Sequence, residues 1–319
     1  MSNRKRKGSR PGPRPSGYRD PKPAAPPARK RGIVDSLFAP RVAGATSMPR
    51  VRTALTRGVV TVLGSPPLVI AAVLYPLVVW LLLVAAGYQG PFAPLANLLA
   101  LPPIGTSLDA SLATSLFGLQ GGLVGILVFL AARAVTLALL TGAVVEALED
   151  GHVTRACLRR GARALPVTFA VCIVGVGILT VSSFFGPILG PGFGILVQVG
   201  ALVVGLYLFV FAPVIAVDEG RTMPEALGRS IRAARLPGAG NLMLAALYVV
   251  PSIAVIVAPG KPGNLMGVNP TIGAWVFVLL LGLLHVVLLA TFAFRYLSVA
   301  HEVPDPPERS PSSTVRGRR

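Results

Sequence analysis

Carboxylates are scarce in this chain and sit in the wrong places for proton chemistry. Only 12 Asp+Glu stand against 30 Lys+Arg, and none falls near the middle of a long apolar run. That counts against a proton-coupled carrier, whose relay uses intramembrane carboxylates. Cysteine is nearly absent too: Cys172 lies inside an apolar run and Cys157 in a basic segment, so neither a disulfide nor a metal site is expected. The three histidines, His152, His285 and His301, have no carboxylate or cysteine at ligand spacing. No Gly-rich phosphate loop, nucleophile elbow or zinc motif is present. The sequence therefore offers no catalytic residue, no metal ligand set and no cofactor site. Charged residues make up only 13% of the chain against 53% hydrophobic, with a mean hydropathy of +0.70. Those values lie outside the range of a soluble globular domain.

What is present is apolar length. Six runs, 67–87, 117–146, 166–185, 193–217, 241–259 and 271–299, approach or exceed the ~20 residues that a membrane-crossing helix needs. Pro76 and Pro251 fall inside runs and Pro213 near the end of one, so kinks are expected there. Half of the 30 basic residues lie at or before Arg57, which describes a tail rather than a nucleic-acid-binding surface. The connections at 146–165 and 218–240 and the C-terminal tail hold four basic residues each. The alternate connections 88–116, 186–192 and 260–270 hold only Lys261. That asymmetry predicts both termini on the cytoplasmic side of the cell membrane. Residues 1–48 read as a disordered, basic, Pro-rich cytoplasmic tail, 49–301 as a six-helix membrane domain, and 302–319 as a second disordered tail. The first tail either fixes topology and keeps the nascent chain soluble or tethers anionic lipid.

The stretch Ala212–Pro237, APVIAVDEGRTMPEALGRSIRAARLP, organises the rest. An apolar run ends near Pro213, Asp218-Glu219-Gly220 turn the chain, and a short basic helix follows. Leu227, Ile231 and Ala234 share one face of it, with Arg229, Arg232 and Arg235 set away from them. The pattern is that of an amphipathic elbow lying along the membrane surface, arginines toward lipid phosphates. Glu219 is expected to cap the elbow or to pair with Arg229 or with a neighbouring elbow. Ala54-Leu55-Thr56-Arg57-Gly58 and Ala156-Cys157-Leu158-Arg159-Arg160 resemble Ala226-Leu227-Gly228-Arg229-Ser230. This predicts a three-fold repeat of one elbow plus two crossing helices. The connection 88–116 is apolar for a loop, which predicts a short helix near Pro94–Leu101 in the outer interface.

Arg133 and His285 are the candidate lipid or substrate contacts. Arg133 lies near the middle of the second run, where a charge costs at least ~2.5 kcal/mol. It is expected to face broken-helix carbonyls, bind an anionic headgroup or snorkel. His285 is expected either to bond a neighbouring helix or to touch a substrate. Arg295, near a run's end, is expected to snorkel. Gly118, Gly121, Gly122 and Gly125 form overlapping G-x-x-x-G pairs suited to close helix packing, within this chain or with a second copy.

Asp150-Gly151-His152-Val153-Thr154-Arg155 is similar to the opening of the CDP-alcohol phosphotransferase signature. The next acidic residue is Asp218, so the paired aspartates that would hold its metals are missing. Pro213, then Glu219-Gly220, then Ala226-Leu227-x-Arg229-Ser230 resembles the membrane domain named for glycerophosphoryl diester phosphodiesterases, over about residues 190–300. The resemblance implies an all-α bundle of six transmembrane helices with cytoplasmic elbows. It does not imply phosphodiesterase activity, because the catalytic barrel is absent. The expected function is non-enzymatic: an integral membrane protein organising envelope lipid or partner proteins, with anionic headgroups as partners at the tail and elbows. The alternative is a permease for a lipid-like or anionic substrate.

Overall fold

Proline and glycine set most of the element boundaries. The computed structural model describes residues 48–85, 99–101, 122–236, 240–257 and 272–303. Among these every regular element is helical. In chain order they are α1 (Val51–Leu63), α2 (Pro66–Ala85), α3 (Gly122–Asp150), α4 (Ala156–Ser183), α5 (Phe185–Leu189), α6 (Pro191–Phe209), α7 (Ala212–Glu219), α8 (Met223–Ala234), α9 (Gly240–Val257) and α10 (Ile272–Leu297), closed by a 3₁₀ turn at Ala300–Glu302.

Four segments are long and apolar enough to cross a membrane: Leu130–Asp150, Ala156–Leu189, Gly192–Glu219 and Ile272–Leu297. A fifth candidate is the pair α1 and α2, bent by 81° at the Gly64-Ser65 break. Exposed Ile70, Leu74, Ile173, Leu196, Leu247 and Leu280 give the bundle an apolar exterior. Such a surface is out of place in water and suits a membrane-spanning protein. The described residues are therefore all-helical, and the chain is read as membrane-spanning.

α10 is the central helix, buried almost continuously from His285 to Ala293. Phe211 stacks edge-on against Phe292 at 6.1 Å and lies tilted against Tyr296 at 5.8 Å. Helices approach most closely where glycine removes the side chain. A methyl on Gly161 of α4 would lie 2.8 Å from the Ala138 carbonyl oxygen of α3, and one on Gly142 only 2.5 Å from that of Cys157. A methyl on Gly58 of α1 would meet Thr291 and the Val287 carbonyl of α10 just as closely. These contacts use the small-residue spacings Ala138-x-x-x-Gly142 and Cys157-x-x-x-Gly161. Of the glycines expected to pack helices, Gly118 and Gly121 lie outside the described residues. Gly122 and Gly125 lie in the first turns of α3.

Several expectations need correction. Ala156–Pro166 is no separate elbow: it forms the first turns of α4, which runs through Pro166 without a break. Residues 94–98 lie outside the described residues. Leu99, Ala100 and Leu101, the end of the expected interfacial helix, are buried in the bundle instead. The interruption expected at Pro213 is present: within the single apolar segment Gly192–Glu219, α6 ends at Phe209 and α7 opens at Ala212 with Pro213 in its first turn.

Candidate functional site

Two polar centres lie inside this apolar bundle. The first is built around Arg133 on α3 and His285 on α10. Nη2 of Arg133 donates to the Ala100 carbonyl at 2.5 Å. The neighbouring Leu101 N–H donates to the Tyr248 hydroxyl oxygen at 2.8 Å, and that hydroxyl lies 2.7 Å from His285 Nδ1. The Tyr248 and His285 rings also meet edge to face at 5.3 Å. Arg133 is 4% exposed and His285 is fully buried.

This chain of contacts explains why non-helical backbone can enter the bundle at Leu99–Leu101. Irregular backbone at membrane depth is tolerated only where protein groups satisfy it. Here a guanidinium takes one carbonyl and a phenol takes the next N–H. The structure thus puts Arg133 against a backbone carbonyl rather than snorkelling outward. His285 bonds a neighbouring helix through Tyr248, a residue whose role the sequence had not suggested. A lone Tyr inside the apolar run Ala245–Val250, 37 positions before the only intramembrane His, was the available signal.

The second centre gathers the motif residues. α7 ends at Gly220, whose φ of +65° is the left-handed conformation that favours glycine at a helix C-terminus. Thr222 and Glu225 then form a reciprocal capping box that starts α8, with Pro224 in its first turn. The turn brings Glu219 back over α8, where Arg229 Nε donates to its carboxylate at 2.8 Å. Arg229 also donates to the Ala300 and Val303 carbonyls at 2.8 and 3.0 Å, beyond the end of α10. Tyr296 of α10 gives its hydroxyl proton to Glu219 and receives one from Arg229 at 3.1 Å. Ser230 donates to the Leu208 carbonyl at 2.7 Å, in the last turn of α6, just ahead of the break that Pro213 imposes. Burial on its own would lower the Arg229 pKa; the Tyr296 and Glu219 contacts outweigh it and hold the pKa above the ordinary value.

Glu219 therefore pairs with Arg229, one of the partners expected for it. Arg229 itself does not point away from the bundle, as the helical phase had suggested. The buried face of α8 is Ala226, Arg229, Ser230, Ala233 and Ala234. The cause is chemical: an always-charged fork of five donors is the side chain best able to satisfy carbonyls past a helix end.

Arg295 also departs from expectation. Rather than snorkel, it is 1% exposed and donates through Nε to Asn241 Oδ1 at 2.8 Å. Its guanidinium lies over Gly240, where a methyl would come within 3.2 Å of it.

No family model matches the chain, and no curated protein or solved structure shows significant similarity to it. Function must be argued from geometry alone. Among the described residues no three His, Cys, Asp or Glu side chains converge to hold a metal ion. Neither Arg133 nor His285 lines either of the two hollows described. One is an apolar cavity of about 300 Å³ between α2, α3 and α4, lined by Tyr75, Leu99 and Leu139 among others. The other is a groove beside α1.

Proposed function

We propose that this is a non-enzymatic integral protein of the cell membrane that organises envelope lipid or partner proteins. One observation carries the reading: among the described residues, Arg133 and His285 are each hydrogen-bonded to protein groups and line neither of the two hollows described. Arg133 is bonded to Ala100, and His285 to Tyr248, which in turn receives Leu101. Gly142, Gly161 and Gly58 lie in backbone-close helix crossings. A bundle packed in this way suits a fixed scaffold better than a path for a solute.

In this reading the chain crosses six times. α2 with 20 residues and α9 with 18 join the four longer segments as crossings. Both are close to the ~20 residues a span requires. Both termini lie in the cytoplasm, following the basic connections. α1 and α8 are the elbows of a three-fold repeat whose middle elbow has fused with α4. The knot formed by Glu219, Gly220, Arg229 and Ser230 is what supports the likeness to the phosphodiesterase-associated membrane domain. Anionic lipid headgroups are the partners of the basic tail and elbows.

Flux measurement in proteoliposomes tests the reading. Wild-type protein is expected to pass anionic and lipid-like tracers no faster than empty vesicles, and Arg133→Ala is expected to change nothing. Tracer flux that Arg133→Ala abolishes would return the permease alternative.

A further inference from the structure

The exposed side of α1 carries chemistry that the bundle does not use. Arg52, Thr53, Thr56, Arg57 and Val60 project from this one face, opposite Ala54, Gly58 and Val62, which are buried. With Arg50 at the helix start and Phe294 from α10 they line a groove of about 600 Å³. Among the described residues none of the three arginines has an acidic partner, and the Thr53 hydroxyl makes no hydrogen bond. Val60 and Phe294 give the groove an apolar floor, and Leu63 on α1 and Ile70 and Leu74 on α2 are exposed as well.

We propose that this groove is a specific site for the headgroup of an anionic phospholipid. The arginines and Thr53 hold the phosphate, and the acyl chains run over Val60 and Phe294 onto α2. The inference rests on the lipid-organising reading and deepens it by naming the place. Charge complementarity selects an anion, since three guanidinium groups surround one hollow. The apolar floor, on a helix that belongs to a candidate membrane span, selects a lipid over a soluble phosphate. The chain's own N-terminal segment is an unsuitable occupant, because residues 1–47 carry 12 Lys+Arg and only Asp20 and Asp35.

The test is native mass spectrometry of the full chain in detergent, titrated with phosphatidylglycerol or phosphatidylcholine. Wild type is expected to retain phosphatidylglycerol far more tightly than phosphatidylcholine, and excess inorganic phosphate is not expected to displace it. Arg52→Gln with Arg57→Gln is expected to weaken retention roughly 30-fold, from two basic contacts. Thr53→Val leaves the charge unchanged and is expected to weaken it roughly tenfold, by loss of a hydrogen bond to a charged group. Arg159→Gln with Arg163→Gln, a control pair of exposed arginines on α4, is expected to have a much smaller effect. Equal losses from both arginine pairs with Thr53→Val inert would mean diffuse attraction and overturn the site. Displacement by inorganic phosphate, or equal retention of phosphatidylcholine, would overturn it as well. In each of those cases lipid still binds and the scaffold reading stands. That reading fails instead if wild type conducts tracer in the flux assay.

Discussion

Arg229 makes the largest number of directional contacts described for any side chain in the bundle, and they tie three parts of the chain together. It joins the α7–α8 turn through Glu219, α10 through Tyr296, and the segment after α10 through Ala300 and Val303. Arg229→Ala should destabilise the protein by about 3 kcal/mol, because it leaves the Ala300 and Val303 carbonyls without their donor and takes one charged partner from Glu219, which keeps Tyr296 and Arg221. Arg229→Lys should recover little, since an ammonium cannot span the fork. Thermal unfolding in detergent measures both. At the membrane-depth centre, Tyr248→Phe removes the hydroxyl that serves Leu101 and His285 together. It should cost about 2 kcal/mol by the same measurement, from buried groups left unsatisfied, without altering lipid retention.

The residue scale also marks how far the sequence could be read. Glu219, Gly220, Arg229 and Ser230 stood out because charge and glycine are conspicuous beside an apolar run. The direction of Arg229 did not, because its partners Tyr296, Ala300 and Val303 lie about 70 residues further along the chain. The partner of Arg133 was illegible for another reason. It is a backbone carbonyl, and any residue at position 100 would have supplied one. Arg295 looked like an ordinary terminal cation until α9 placed Asn241 beside it.

At the scale of elements, glycine spacing decides which helices approach closely. Gly161→Ala would push a methyl against the Ala138 carbonyl and Leu139 Cα and should cost about 1–3 kcal/mol. Gly177→Ala, on the same helix with nothing within 4 Å, should be neutral or stabilising by up to ~1 kcal/mol through helix propensity. Unfolding of the pair in detergent separates packing from propensity. The crossing of α3 and α4 uses single glycines paired with Ala138 and Cys157, a pattern weaker than a run of glycines and one that becomes visible only when the two helices are seen side by side. Length and apolarity were more legible, since they follow directly from the solvent. The runs around 130–146, 166–185, 193–217 and 272–297 all became long apolar helices. The division between elbow and span at Pro166 did not appear, because a proline can sit inside a helix where surrounding groups absorb the lost hydrogen bond.

At the scale of the whole molecule, the proposed orientation puts the arginine-rich connections on one side of the membrane. Ile188→Cys in the short α5 connection and Arg159→Cys near the start of α4 should therefore react with an impermeant thiol reagent from opposite sides. Labelling of both from the same side would undo the proposed orientation. The larger claim is that the bundle interior is dry and fixed, and the chain carries its own probe for that. Cys172 is fully buried and packs with Leu130, Ala134 and Leu137, which flank Arg133 along α3. In a Cys157→Ala background reconstituted into vesicles, Cys172 should resist a water-soluble maleimide until the protein is denatured. Rapid labelling of the native protein, slowed by a lipid-like anion, would contradict a closed polar core and show a water-filled path beside Arg133.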